Sequence, residues 1–425
     1  MMKKNRTIYF LLALVCLGLQ SCLFQEEDYF DDSSANRATA DVKRCSELLE
    51  AAHYGWVMEY YVGKDYSLGG ITLLCKFDGQ RVTMASQIAG ADETVSSLYS
   101  VKSEQATMLS FDTYNYLVHY FGQPQGSMAD DPNGTLGGDY EFVISDATAD
   151  RIELKGKKYG NRIVMKAFSA DQTWKQYLTR IKKVEDDAFF YEYDLRMDGL
   201  YTGQMLRSNY TFIVTYYDEV GKVHQKTVPF MFTTDGMRFH EPVTIDGQTM
   251  QNFVWKNEEI SFVCTDEGAT EVKLAGVYTA GYQSYDYYPG TYQMDFYRLN
   301  DATNQMEVAS QEIQLVKDED GKSYWLKGLE YDILVTYDKP RGGLSILPQF
   351  LKKVQGGYVY LAMWDLMNDY VLRSSAIGLI SYPTTDGIYL VDNGVWMGEI
   401  SGFIFGVYDS QDEEASFMGS TDAVA

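Results

Sequence analysis

Four histidines are spread along the sequence, at His53, His119, His224 and His240, and no two of them lie within five residues of each other. A zinc site on one helix or loop needs two ligands a few residues apart, so a metal centre would have to be assembled from distant segments. We therefore predict no metal, no cofactor and no catalytic residue. The G-x-S-x-G and phosphate-loop patterns are also absent from the sequence, which weighs against hydrolase and nucleotide chemistry.

A polar segment, residues 281–290 (GYQSYDYYPG), carries four tyrosines: Tyr282, Tyr285, Tyr287 and Tyr288. Rings of this kind combine an apolar face with a hydroxyl that hydrogen-bonds, which suits the faces of sugars or the backbone of a peptide. Exposure of four such rings to water is unfavourable unless they contact a ligand or cover a core. We name these tyrosines as candidate ligand-binding residues, but we favour the alternative, aromatic packing at a corner between sheets.

The N-terminal residues have the pattern of a signal peptide. Three basic residues within the first six precede an apolar stretch at residues 8–19, which is too short to span a membrane as a helix. The next letters, LQSC, resemble the lipobox of bacterial lipoproteins, in which a small residue precedes the cysteine that receives the lipid. We predict that residues 1–21 are removed and that Cys22 becomes the lipidated first residue.

An acidic tether, predicted over residues 22–37, follows the lipid site and contains the run QEED at residues 25–28. Such a run is at least a solvated spacer, because charged tracts cannot bury themselves. It also resembles the surface-export signal of Bacteroidetes lipoproteins. We therefore expect the protein to be anchored in the outer membrane and to face the cell exterior.

The composition excludes some partners and indicates the fold class. The 60 acidic and 36 basic residues give a formal charge of -24, which would repel nucleic acid and anionic lipid headgroups. The 35 Tyr, 21 Phe and 6 Trp favour strands. Cys45, Cys75 and Cys264 fit no zinc or redox spacing; buried unpaired thiols are expected, although a disulfide among them is left open.

The first globular segment, predicted over residues 38–168, begins with helical spacing at residues 38–52, where Thr39 is a plausible N-cap. Strand patterns follow, and Asp78-Gly79 between apolar runs predicts a hairpin. Helical spacing returns at residues 113–122. A helix followed by an antiparallel meander is the expected architecture.

The same order of elements recurs in residues 169–274, which open with a predicted helix over residues 169–187 and Ser169 as its cap. The recurrence suggests two related units, although residue identity is too low to prove a duplication. Residues 275–425 alternate short strands with glycine-rich turns and predict an antiparallel barrel or sandwich, ending in a loose acidic tail from Gln411. The predicted class is mainly β (α+β).

Several stretches together resemble one protein family: the leader DYFDDSSANR, the helix CSELLEAAHYGWVMEYY, GGDYEFVI and RIELKGKKYGNRIVMKAF. The chain is similar to the domain of unknown function 4302 family of Bacteroidetes lipoproteins. The resemblance implies genes beside SusC-like TonB-dependent transporters and SusD-like lipoproteins. The family has no established catalytic or binding residues, so none is carried over.

Three classes of function are compatible with these observations. The first is a non-catalytic surface lipoprotein that binds a glycan or peptide ligand, or serves as an accessory protein, in a TonB-dependent nutrient uptake system with SusC/SusD-like partners. The second is a structural or adhesive, fimbrial-type surface protein. The third, and weakest, is a polymer hydrolase. We favour the first, with the membrane contacted only through the N-terminal lipid.

Overall fold

The computed structural model describes residues 34–424 apart from 125–133 and the single positions 219, 301, 302, 304, 385, 386 and 413. Strands account for 53% of the chain and helices for 11%, which confirms the mainly β prediction. The described chain divides into two compact units, residues up to 182 with 229–234, and residues 183–228 with 235–424.

Helix α1 (Ser34–Ala51) opens the first unit. It begins within the predicted tether, four residues before the expected start. Thr39 is not its N-cap: the residue lies inside the helix, and its hydroxyl donates to the Ala35 carbonyl one turn earlier. The helix begins one turn before Thr39, so the residue lies inside the helix and its hydroxyl bonds back to the preceding turn instead of capping.

Barrel 1 follows α1. Within the described residues its eight strands pair antiparallel in chain order, and pairing of the first with the last closes the barrel, with Trp56 opposite Ala167. The Asp78-Gly79 hairpin is confirmed, with Gly79 at a φ of 61°. The strands are β1 (Trp56–Val62), β2 (Gly69–Asp78), β3 (Arg81–Ser86), β4 (Val95–Ser103), β5 (Thr107–Phe111), β6 (Glu141–Ala147), β7 (Arg151–Gly156) and β8 (Arg162–Ala167).

Helix α1 covers the end of barrel 1 at which β1 begins. Its apolar stripe buries Cys45 and Leu49 completely. The Trp56 indole donates to the Leu49 carbonyl at 2.9 Å, and the Arg44 guanidinium donates to the Ala147 carbonyl at the end of β6. Burial and hydrogen bonds together fix the helix over this opening.

The opposite end of barrel 1 is covered by the connection between β5 and β6, here called the cover segment (residues 112–124 and 134–140). It contains α2 (Tyr116–His119), a single turn where the sequence predicts a helix over residues 113–122. The Asn115 side chain caps the turn by accepting from the Leu117 amide, and bonds to the His119 carbonyl from Gly122 and Gln123 end it. The Tyr60 hydroxyl donates to the Asp139 carbonyl at 2.8 Å and holds the segment down.

Helix α3 (Trp174–Asp187) begins five residues later than predicted. Its N-cap is Thr173 and not Ser169. The Thr173 hydroxyl accepts from the Gln176 amide while the Gln176 side chain accepts from the Thr173 amide, a reciprocal capping box that Ser169 cannot form. Leu178 of this helix packs with Leu74 and Ala85 of barrel 1.

Barrel 2 repeats the topology of barrel 1. Across the described chain its eight strands also pair in order, and the last closes on the first, with Val272 opposite Met197. The Tyr193 hydroxyl donates to the Ala188 carbonyl just after α3. The strands are β9 (Glu192–Met197), β10 (Leu200–Ser208), β11 (Thr211–Tyr217), β12 (Val223–Phe232), β13 (Gly236–Ile245), β14 (Gln248–Lys256), β15 (Ser261–Cys264) and β16 (Val272–Val277).

The remaining strands form a sandwich of two sheets over one core, which includes Val335 from the first sheet and Phe405 from the second. The first sheet contains β17 (Gly290–Asn300), β18 (Gln305–Lys317), β19 (Ser323–Lys327), β20 (Ile333–Asp338), β21 (Gly343–Ile346), β25 (Leu379–Pro383) and β26 (Ile388–Asp392). The second contains β22 (Gln349–Val354), β23 (Gly357–Asp365), β24 (Tyr370–Leu372), β27 (Gly402–Tyr408) and β28 (Phe417–Val424).

The C-terminal end differs from the expected loose tail, because Phe417–Val424 form β28 and pair with β27. A neighbouring strand supplies hydrogen-bond partners for the backbone whatever the side chains are. The polar composition of the tail therefore did not decide its structure.

Candidate ligand-binding site

Two of the four predicted tyrosines lie in the core of the sandwich. Tyr288 is fully buried, and its hydroxyl donates to the Gly342 carbonyl at 2.8 Å. Tyr285 is half-buried: its ring stacks on Tyr324 at 4.7 Å between centroids, and its hydroxyl donates to the Ser323 carbonyl. Neither hydroxyl points to a ligand in this arrangement, because both hold neighbouring strands.

The other two tyrosines are more accessible. Tyr282 is half-buried, with its ring 4.5 Å from that of Tyr278 and its hydroxyl 3.1 Å from that of Tyr337. Tyr287 is 48% exposed and meets Tyr288 edge to face. The four rings therefore form a packed corner with one exposed member, and whether any of them contacts a ligand stays a prediction.

Burial raises the pKa of the Tyr288, Tyr324 and Tyr337 hydroxyls in this corner. The charged phenolate would lose its hydration there, so the neutral form is favoured. These hydroxyls remain hydrogen-bond donors across the physiological range, and the corner keeps its geometry as the pH changes.

A cavity of about 350 Å³ lies beside the tyrosine corner. Its floor is the turn at Gly342, whose φ is 64° and whose Cβ position would lie 2.5 Å from the Tyr282 ring. A side chain at this position would clash, so glycine is required for the ring to support the turn. The cavity is lined by Thr279, Ala280, Gly281, Asp338, Arg341, Gly342, Gly343, Leu344, Ile380, Ser381 and Tyr382.

The lining combines an aromatic face with polar groups of both charges. Tyr382 is 64% exposed and lies directly opposite Tyr389 on the neighbouring strand. Arg341 is exposed, and its Nε lies 3.5 Å from the Asp338 carboxylate. The Ser381 hydroxyl accepts from the Leu344 amide and also hydrogen-bonds to the Tyr288 hydroxyl. This set suits a polar ligand with flat faces and several hydroxyls.

The sequence pointed to the tyrosines but gave no sign of the cavity beside them. Arg341 and Ser381 carry no local signal, because the β20–β21 turn and β25, on which they lie, are brought together only by pairing of β21 with β25. The Gly342-Gly343 turn was the available clue. A glycine pair next to a charged residue indicates a turn, but it does not indicate what packs beneath it.

The remaining predicted sites are outside the cavity. Cys22 and the acidic run of the tether lie outside the described residues. Cys45, Cys75 and Cys264 are buried and unpaired, as expected. Among the described residues, no group of three or more His, Cys, Asp or Glu is arranged to hold a metal ion. Within that same part of the chain, no helix is long and apolar enough to cross a membrane.

Comparison with known proteins identifies two sequence families. The model of a family described as "Domain of unknown function (DUF4302)" matches residues 26–257. That of a second family, described as "Domain of unknown function" (DUF4987), matches residues 265–397. No curated protein matches the chain.

Solved structures give only distant similarities. The botulinum neurotoxin type G receptor-binding domain is 9% identical, with a TM-score of 0.12 over 76% of this chain and 73% of that chain. The DNA polymerase III β subunit from Borrelia burgdorferi is 9% identical, with a TM-score of 0.10 over 85% of this chain and 98% of that chain. Scores this low carry no information on fold or function.

Proposed function

The chain belongs to the DUF4302 family, and we propose that it is a lipid-anchored, non-catalytic surface protein that binds a short glycan and presents it to a neighbouring TonB-dependent transporter. The observation that carries the binding role is the cavity beside the tyrosine corner. It offers an exposed ring at Tyr382, a guanidinium at Arg341 and a hydroxyl at Ser381 within one opening. Ring faces stack on sugars while the polar groups meet hydroxyls or a carboxylate.

The glycan role is tested with the full-length protein in detergent on a printed array of neutral and uronic-acid oligosaccharides. Replacing Tyr382 by Ala should weaken binding by about fivefold, since one stacked ring contributes about 1 kcal/mol. The melting temperature should hardly change, because the ring is 64% exposed. Tyr297→Ala is the matched control, an exposed strand tyrosine outside the cavity lining.

Two results would reject the glycan role. One is a wild-type protein that binds no sugar on the array. The other is equal binding by Tyr382→Ala, Arg341→Ala and the Tyr297→Ala control. Peptides captured by the same cavity would transfer the proposal to a peptide ligand, because the chemistry of the lining serves both.

The anchoring role rests on Cys22. The variant Cys22→Ala should carry no label after growth with a labelled fatty acid, whereas the wild type should be labelled. A labelled mutant would rule out lipidation at this residue. Co-purification of a SusC-like transporter with the detergent-solubilised wild type tests the proposed partner, and its absence from crosslinked preparations would count against the uptake role.

A further inference from the structure

The end of barrel 2 at which β9 finishes and β10 begins holds a second cavity, here called the mouth cavity, of about 430 Å³. It lies between two tight hairpin turns, Asp198-Gly199 and Asp246-Gly247. Both aspartates have a positive φ, 48° and 49°, and each is followed by a glycine with positive φ, as a two-residue hairpin turn requires. The rim is therefore built from short, well-determined turns.

The rim exposes three large apolar side chains close together. Leu200 is 73% exposed, Tyr201 is 54% exposed and Tyr217 is 53% exposed, and all three line the cavity. Single exposed apolar residues are ordinary, but a cluster around a concave opening is typical of a binding site. Among these, the two tyrosine rings also offer faces that attract cations.

The charge of the lining is one-sided. Within the described residues it includes the carboxylates of Asp198, Asp218 and Asp246 and no basic side chain. Asp218 accepts hydrogen bonds from His224 Nε2 and from the Lys222 amide, so part of its capacity is taken. Asp198 and Asp246 are the two carboxylates on which recognition of a cation would depend.

We propose that the mouth cavity binds the arginine or lysine side chain of a peptide. The cationic head would lie against the rings of Tyr201 and Tyr217 and be neutralised by Asp198 and Asp246. The methylene stem of the side chain would cover Leu200. The overall charge of -24 adds a long-range attraction for basic partners. This inference concerns a separate cavity and does not depend on the glycan role.

The probe is a fluorescein-labelled peptide, Gly-Arg-Gly-Arg-Gly, and its counterpart with citrulline at both arginine positions. Citrulline has nearly the same shape and no charge. Anisotropy titrations with the full-length protein in detergent should show the arginine peptide binding at least about tenfold more tightly, as expected for two ion pairs near the surface.

Two variants locate the binding. The double variant Asp198→Asn with Asp246→Asn should lose about tenfold in affinity for the arginine peptide. Asn tolerates positive φ, so both turns are retained. Tyr217→Leu should lose about fivefold, the equivalent of about 1 kcal/mol for one cation–π contact. Thermal unfolding checks that each variant is folded.

The matched control removes the same charge elsewhere. Asp65 and Asp369 are also exposed aspartates with positive φ, 53° and 55°, and neither lines the cavity. Their double change to Asn should leave affinity unaltered. If both double variants lost the same affinity for the arginine peptide, the binding would be non-specific electrostatic attraction, and the proposal would be overturned. Equal affinity for the citrulline peptide, or no binding of the arginine peptide, would overturn it as well.

Discussion

Barrels 1 and 2 share a topology and differ most in the length of one connection. Each follows a helix, and in each an inward ring on the first strand, Trp56 or Tyr193, donates to a carbonyl at the helix end. The β5–β6 connection of barrel 1 is the cover segment, whereas the equivalent β13–β14 connection is the turn Asp246-Gly247. One barrel is therefore covered at both ends, and the other keeps an open cavity at one of them.

The comparison extends to single positions. Counting inward residues along the first strand, Tyr60 of barrel 1 corresponds to Met197 of barrel 2. Tyr60 donates to the cover segment at the Asp139 carbonyl, while Met197 lines the mouth cavity. Barrel 2 therefore has a cavity at the end where barrel 1 has the cover segment and the tyrosine that holds it.

The largest effect is expected at the contact between the helix end and the first strand, a type of contact that each barrel makes for itself. Trp56→Ala removes a fully buried ring and its hydrogen bond to the Leu49 carbonyl. The free energy of unfolding should fall by about 3–5 kcal/mol, measured by denaturant titration followed by circular dichroism. A loss under about 1 kcal/mol would show that the helix and the barrel are not coupled through this ring.

A buried carboxylate, Asp139, and a half-buried one, Asp266, should give opposite pH dependences. Burial raises the pKa of Asp139 above its ordinary value of 3.8, despite amide donors from Lys158 and Tyr159. Burial also acts to raise the pKa of Asp266, but hydrogen bonds from Asn252 and Gln251 outweigh it and the net pKa is lowered. The stabilising form is protonated in barrel 1 and ionised in barrel 2.

Asn variants read out this contrast. We compare the free energy of unfolding of the wild type with that of Asp139→Asn. The advantage of the wild type should be fully present below pH 3.8 and should decline as the pH rises through the raised pKa of Asp139. The advantage over Asp266→Asn should be present above pH 3.8, at about 2 kcal/mol, and decline as the pH falls through the lowered pKa. Denaturation at several pH values measures both, and slopes of the same sign would contradict the assignment.

Tyr60→Phe should have a smaller effect confined to barrel 1. It keeps the ring and removes the hydroxyl that donates to Asp139, for an expected loss of about 1 kcal/mol. Hydrogen exchange in the cover segment should accelerate. Tyr193→Phe is the matched control, because it removes an equivalent hydroxyl bond from barrel 2 and should leave exchange in the cover segment as it was.

The smallest effect is expected at the open end of barrel 2. Tyr201 is 54% exposed, so Tyr201→Ala should change the free energy of unfolding by less than about 0.5 kcal/mol. Thermal unfolding would detect a larger loss. Such a loss would mean that the ring supports the barrel and that the rim is less open than its exposure indicates.

Local signals in the sequence predicted individual helices and hairpins, but not the strand pairing that closes each barrel. Apolar spacing located α1 and α3, and the Asp78-Gly79 pair located a hairpin. The N-caps at Thr39 and Ser169 were wrong because a residue able to cap does so only where the following turn reciprocates, as Gln176 does for Thr173. The pairing of Trp56 with Ala167 joins strands more than a hundred residues apart, and no local pattern encodes it.

The two cavities could not be predicted from the sequence, because each is lined by segments that are distant along the chain. Tyrosines in a polar segment looked like a platform, yet Tyr288 is buried, because burial depends on strands contributed from elsewhere. The mouth cavity had a clue in the dipeptides Asp198-Gly199 and Asp246-Gly247, which mark tight hairpins. What they leave uncovered follows only from comparison with the longer connection of barrel 1.

The three unpaired thiols can serve as probes of how often each barrel opens transiently. Cys45 lies on the buried face of α1, Cys75 on β2 and Cys264 on β15, and all three side chains are buried. Burial raises the pKa of all three, that of Cys264 to about 11, so reaction with an alkylating reagent must wait for a transient opening. Mass spectrometry can follow the alkylation of Cys75 and Cys264 separately. The two rates would report the opening of barrel 1 and of barrel 2 in the same intact molecule.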